Sequence, residues 1–83
     1  MKFFISEFIG TFIIVLSVLV TSNPLFIAAA FLCAIILTAG DLNPIVTMAM
    51  VLSGKLKYSA ALEYLIGQVL GGAGAFLIYS IYK

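Results

Sequence analysis

The chain has 83 residues, 65% of them hydrophobic and 8% charged, where a soluble domain carries roughly half and a quarter. A soluble chain this short buries only about two-thirds of its unfolded surface and needs polar cover it does not have here, so water is the wrong solvent. A net charge of +1 from scattered lysines, no histidine, one cysteine and three widely spaced carboxylates argue against nucleic acid as a partner, a metal site, a disulfide framework, any cofactor and enzyme chemistry.

From Phe3 to Thr21 the only ionisable residue is Glu7, and about 20 apolar residues at 1.5 Å each are what a bilayer's hydrocarbon core requires. This is the first expected span, residues 3–21. A signal peptide is the competing interpretation, disfavoured by Glu7 near its start, by the length of the apolar run and by "LVTSN" in place of a small-residue cleavage site. A carboxylate one to two turns into a span is costly unless it is paired. Glu7 therefore reads as a paired group, with a simple interfacial position a turn from Lys2 as the plainer option. Phe3, Phe4, Phe8 and Phe12 read as lipid-facing or packing surface.

"TSNP", residues 21–24, is a short polar connector, with Pro24 suited to the first turn of the next helix. The second expected span, 24–39, carries Ala28, Ala29, Ala30, Cys33 and Ala34, small side chains that let helices approach closely in lipid, and is barely long enough to cross. Cys33 reads as a small packed apolar group rather than a reactive thiol.

"AGDLNP" then breaks the hydrophobic pattern, and a helix-compatible stretch from Ile45 ends at "SGKLK" around Gly54, a good C-terminal stop followed by a lysine that suits the helix dipole. Ten residues rise only about 15 Å, half of a hydrocarbon core of roughly 30 Å. Residues 40–54 are therefore expected to dip into the bilayer as a re-entrant loop and half-helix and return to the same face. The last span, 58–82, is rich in glycine, includes the small-xxx-small run "GQVLG" at 67–71, and is flanked by Lys57 and Lys83. Glu63 reads as an interfacial charge near Lys55 and Lys57. The expected fold is all-α and membrane-embedded: three transmembrane helices and one re-entrant half-helix in a single domain, 1–83.

Irregular backbone cannot face lipid, so a loop at that depth implies protein packing or a wet cavity. Asn43 is expected as N-cap, its side-chain oxygen on the N–H of Val46 or Thr47, with Pro44 as the first helical residue. That leaves the Asn43 amide free to donate, backed by the positive end of the half-helix, while the carbonyls of Gly40, Asp41 and Leu42 form acceptors leading to it. Such a row suits a file of polar neutral molecules and opposes cations.

"EFIGTF" (7–12), "AGDLNPIVTMAMVLSGKL" (39–56) and "ALEYLIGQVLGGAGAFL" (61–77) together resemble the first half of an aquaporin, or major intrinsic protein, in order and spacing over nearly the whole chain. The resemblance implies a passive channel for water or small neutral solutes, with Asn43 and Pro44 at the centre of the pore motif. Ile45 stands where alanine is usual, and Asp41 where histidine is common in the vestibule. Glu7 and Gln68 resemble groups that brace the loop. A full channel of this family uses two such halves in opposite orientations. One half is found here, and the filter arginine has no counterpart because the sequence contains no arginine. The implied solution is a second copy of the chain inserted upside down, four such pairs packing as a tetramer of dimers.

The lysine distribution bears on this directly. Lys2, Lys55 and Lys57 fall on one face and Lys83 on the other in this topology, a bias resting on few charges. A different partner chain, or a non-conducting structural protein that keeps the half-fold, stands as the alternative. The sequence names neither the solute nor the host membrane.

Overall fold

The structure, a computed structural model, describes residues 2–38 and 40–83. Ala39, expected to end the second span, lies outside the described residues, as does the side chain of Lys2 invoked for an interfacial Glu7. Four helices follow one another: α1 (Lys2–Val20), α2 (Pro24–Thr38), α3 (Pro44–Leu52) and α4 (Tyr58–Tyr82).

The starts of α2 and α3 use the same device. Asn23 Oδ1 accepts from the N–H groups of Leu25 (2.9 Å) and Phe26 (3.2 Å), satisfying donors that the first turn of a helix leaves without partners. Proline follows as the first helical residue, where its missing N–H costs nothing. With only Thr21–Asn23 between them, α1 and α2 are antiparallel neighbours.

The end of α3 is set at Gly54. Gly54 adopts φ +80°, its N–H bonds to Val51 O at 3.1 Å, and the Lys55 N–H bonds to Met50 O at 2.9 Å. These two bonds define a Schellman closure, with Ser53 as C-cap. The helix stops at Leu52 because the closing bonds reach back over the last turn. Its nine residues rise only about 13 Å.

Helix α1 is central: it packs along α4 and α2, and α3 rests on α4. The α1–α4 contact is close because Gly67 and Gly71 face the α1 backbone. A Cβ on Gly67 would sit 2.6 Å from the Phe4 carbonyl oxygen and 3.0 Å from Glu7 Cβ, and one on Gly71 would collide with the Phe8 backbone. The "GQVLG" spacing therefore has a specific use here. Phe8 and Phe12 stack at 6.4 Å between ring centroids and lie within contact distance of Gly74, so these rings serve as packing surface.

The distribution of side chains is the reverse of a water-soluble domain. The fully buried large side chains are Glu7 and Thr47, and Thr11, Ser17 and Gln68 are also buried. Leu25, Leu32, Ile36, Leu37, Leu52, Val69, Leu77 and Ile81 are exposed. Polar and small groups line the helix contacts and aliphatic groups point outward, an arrangement stable in hydrocarbon and unstable in water. Two helices, over Phe3–Val20 and Tyr58–Tyr82, are long and apolar enough to cross a membrane, and only 28% and 22% of their windows are buried. The core helix of a soluble protein would be mostly covered. Helix α2 is apolar but has 15 residues, about 22 Å of rise, shorter than a full hydrocarbon core.

Candidate functional site

The buried polar groups meet at one place. Glu7, 1% exposed and midway along the first half of α1, accepts three hydrogen bonds. The Asp41 N–H donates to Oε2 at 2.9 Å, the Leu42 N–H to Oε1 at 2.9 Å, and Gln68 Nε2 to Oε1 at 2.6 Å. No cation pairs with Glu7 among the described residues, so these donors carry the desolvation cost of the carboxylate.

Two successive backbone N–H groups converging on one anion make a nest, and forming it requires an unusual backbone. Leu42 sits at φ +59°, a left-handed conformation costing a non-glycine residue about 1–2 kcal/mol. Its N–H bond to Glu7 and its burial at 5% exposure against Gly10 offset that strain. Gly40 is required beside it, since a side chain there would run into the Glu7 carboxylate. The Gly40 N–H bonds to Thr38 Oγ1 at 3.2 Å.

A second tier links this nest to α3. Gln68 Nε2 also donates to Thr47 Oγ1 at 2.9 Å, and that hydroxyl lies 3.2 Å from both Asp41 Oδ2 and the Asn43 carbonyl, as donor to either. Helices α1, α3 and α4 and the loop between α2 and α3 are thus tied through four side chains: Glu7, Gln68, Thr47 and Asp41. The loop N–H groups of Asp41 and Leu42 point into this knot, and that of Gly40 bonds to Thr38 Oγ1; Gly40, Asp41 and Leu42 are the three loop residues before Asn43. The carbonyls of the same three residues accept no hydrogen bond among the described residues.

Asn43 caps α3 one residue earlier than expected: its Oδ1 accepts from the Ile45 N–H at 2.8 Å, not from Val46 or Thr47. Extended backbone at Asn43 (φ −155°, ψ 125°) and a proline without an N–H bring Ile45 into reach first, while the Thr47 N–H is taken by the Asn43 carbonyl at 3.0 Å. Asn43 is exposed and its Nδ2 has no acceptor among the described residues. Pro44 opens the helix, and Ile45 is 72% exposed, projecting from the chain beside the Asn43 amide.

Of the residues singled out from the sequence, the structure brings Glu7, Gln68, Gly40, Asp41 and Leu42 into contact and leaves Asn43, Pro44 and Ile45 at the adjoining surface. Thr47 received no role from the sequence, yet it joins Gln68 to Asp41. The available signal was its spacing: four residues after Asn43, it faces the same side of the helix. Glu63 is half-buried, and Lys55 and Lys57 are exposed.

The family model described as Major intrinsic protein matches residues 23–83. The chain belongs to the major intrinsic protein family, the aquaporin family, and the match is consistent with a half-length member. That family consists of channels rather than enzymes, and with the two long apolar helices it makes this an integral membrane protein. No curated protein and no solved structure matches the chain. Helix α1 lies outside the matched range, yet its Glu7 is bonded to residues inside it.

Proposed function

We propose that the chain is a subunit of a passive membrane channel for water and small neutral solutes. In this proposal α1, α2 and α4 span the bilayer, residues 40–54 form a re-entrant loop and half-helix, and a second copy in the inverted orientation completes the pore. The observation that carries the proposal is the anchored loop. Glu7, held by Gln68, draws in the N–H groups of Asp41 and Leu42, and three carbonyls and the Asn43 amide are left without partners among the described residues, at the start of a helix too short to cross. Such backbone is stable within a membrane only where it packs in protein or lines water, and carbonyls without a protein donor favour the second.

The free carbonyls of Gly40, Asp41 and Leu42 would pass a water donor towards the Asn43 amide, which accepts no further rotation because its oxygen caps α3. Pro44 fixes the helix start at that depth. Ile45, large and exposed, would abut its counterpart in the inverted copy and set the width where two half-helices meet. Exposed apolar surface on α3 at Val46 and Met48 gives that copy a face to cover, and four such pairs would assemble as the family's tetrameric arrangement suggests.

The test is osmotic shrinkage of vesicles reconstituted with the native chain, with Asn43→Leu, or with no protein. The native chain is expected to accelerate shrinkage and the variant to lose most of that acceleration. Equal rates in all three preparations would reject transport. Reporter fusions at each terminus test the pairing, since a single orientation in the membrane would rule out the inverted homodimer.

A further inference from the structure

Upstream of Asn43 the pore loop offers acceptors only. Asp41 is half-buried, its Oδ2 is engaged by Thr47 Oγ1 at 3.2 Å, and its Oδ1 has no donor among the described residues. Gln68, 4% exposed, has a buried Oε1 that also lacks a donor. That amide cannot turn to relieve it, because Nε2 is fixed between Glu7 Oε1 (2.6 Å) and Thr47 Oγ1 (2.9 Å), and rotation would set oxygen against carboxylate. The two side chains that carry these oxygens are joined through one hydroxyl, Thr47 Oγ1, which accepts from Gln68 Nε2 and lies 3.2 Å from Asp41 Oδ2. A buried acceptor without a donor is costly, so the cluster calls for a ligand rich in N–H or O–H groups.

The charge at this point has a definite sign. Thr47 lies in the first turn and a half of α3, so its bond holds the Asp41 carboxylate alongside the N-terminal end of that helix. A helix N-terminus carries roughly half a positive elementary charge, and a full negative charge beside it leaves a net negative end. The Glu7 carboxylate adds to the same sign. No ion pair to Asp41 occurs among the described residues.

We propose that Asp41 reverses the field at the start of α3, so that the pore admits small monovalent cations of the ammonium type together with water. This rests on the channel reading above. Ammonium combines one positive charge with four N–H donors and is the size of the water it would replace, which suits a row of unpaired oxygens.

The experiment records two quantities on the same reconstituted protein: osmotic water permeability in vesicles, and the reversal potential in a planar bilayer under an ammonium chloride gradient. Electrical recording excludes neutral ammonia, which crosses lipid unaided. The native chain is expected to pass water and to show a reversal potential of cation sign, and Asp41→Asn to lower the ratio of ammonium conductance to water permeability by about tenfold or more. Water permeation by the native chain without ammonium current, a reversal potential of zero or of anion sign, or a ratio in Asp41→Asn within about twofold of native would overturn the proposal while leaving the channel reading intact. If neither water nor ammonium passes, both fail. Should Asp41→Asn not assemble, the sign of the native reversal potential still decides.

Discussion

Glu7→Gln is nearly isosteric and removes one acceptor and one charge from the knot. Glu7 Oε2 serves the Asp41 N–H, and Oε1 serves Leu42 N–H and Gln68 Nε2. A glutamine must place its NH2 at one of these positions, and the less damaging choice is Oε2, where a single backbone N–H then faces another donor. Leaving one buried donor unmet costs about 1–3 kcal/mol, and the two remaining bonds lose their charge assistance, about 0.5–1 kcal/mol each. The sum is about 2–5 kcal/mol, concentrated on a loop that also carries the left-handed strain at Leu42. Since 1.4 kcal/mol is a factor of ten, amide hydrogen exchange at Asp41 and Leu42 in detergent or nanodiscs should accelerate by about 30-fold or more. Amides in the middle of α4 should change far less. Exchange at both loop amides within about twofold of native would refute the claim that Glu7 holds the loop.

Other expectations follow from the same geometry. Thr47→Val should destabilise the protein by about 1–3 kcal/mol by stranding the buried Gln68 donor, whereas Thr47→Ser, which keeps the hydroxyl, should stay within about 1 kcal/mol; equilibrium unfolding in mixed micelles separates the two. Gly67→Ala gains about 1 kcal/mol of helix propensity but forces a Cβ to within 2.6 Å of the Phe4 carbonyl, an overpacking cost of about 1–3 kcal/mol. A net loss of thermal stability is expected, and Gly72→Ala, whose Cβ would meet its nearest atom at an ordinary 3.6 Å, should be neutral or stabilising.

How much of this is legible in the sequence depends on the length scale of the cause. The starts of α2 and α3 are local events, written in Asn23-Pro24 and Asn43-Pro44. The same dipeptide begins both helices, so by itself it signals a helix start and nothing about a pore. The end of α3 is local too: Gly54 is the stop the sequence offers, and because its closure reaches back to Met50 and Val51 the last helical residue is Leu52. The close contact of α1 with α4 is foreshadowed by the spacing of Gly67 and Gly71, although spacing does not name the partner helix.

The left-handed Leu42 is not legible at all. Leucine has no local preference for that conformation, and a carboxylate 35 residues away imposes it. Thr47 is equally silent, since a lone hydroxyl in an apolar helix usually bonds its own backbone. Its role depends on Gln68, 21 residues further on.

The central claim is that α3 enters and leaves the membrane by one face. Ser22 and Lys55 are both exposed, and in that topology they lie on opposite sides of the bilayer, whereas a fully crossing α3 would put them on the same side. The direct measurement uses a Ser22→Cys, Lys55→Cys double variant in a Cys33→Ala background, labelled in sealed vesicles with a membrane-impermeant maleimide, with labels per chain counted by mass spectrometry. A half-helix predicts chains carrying a single label whichever way they are inserted. Chains carrying two labels or none would contradict it.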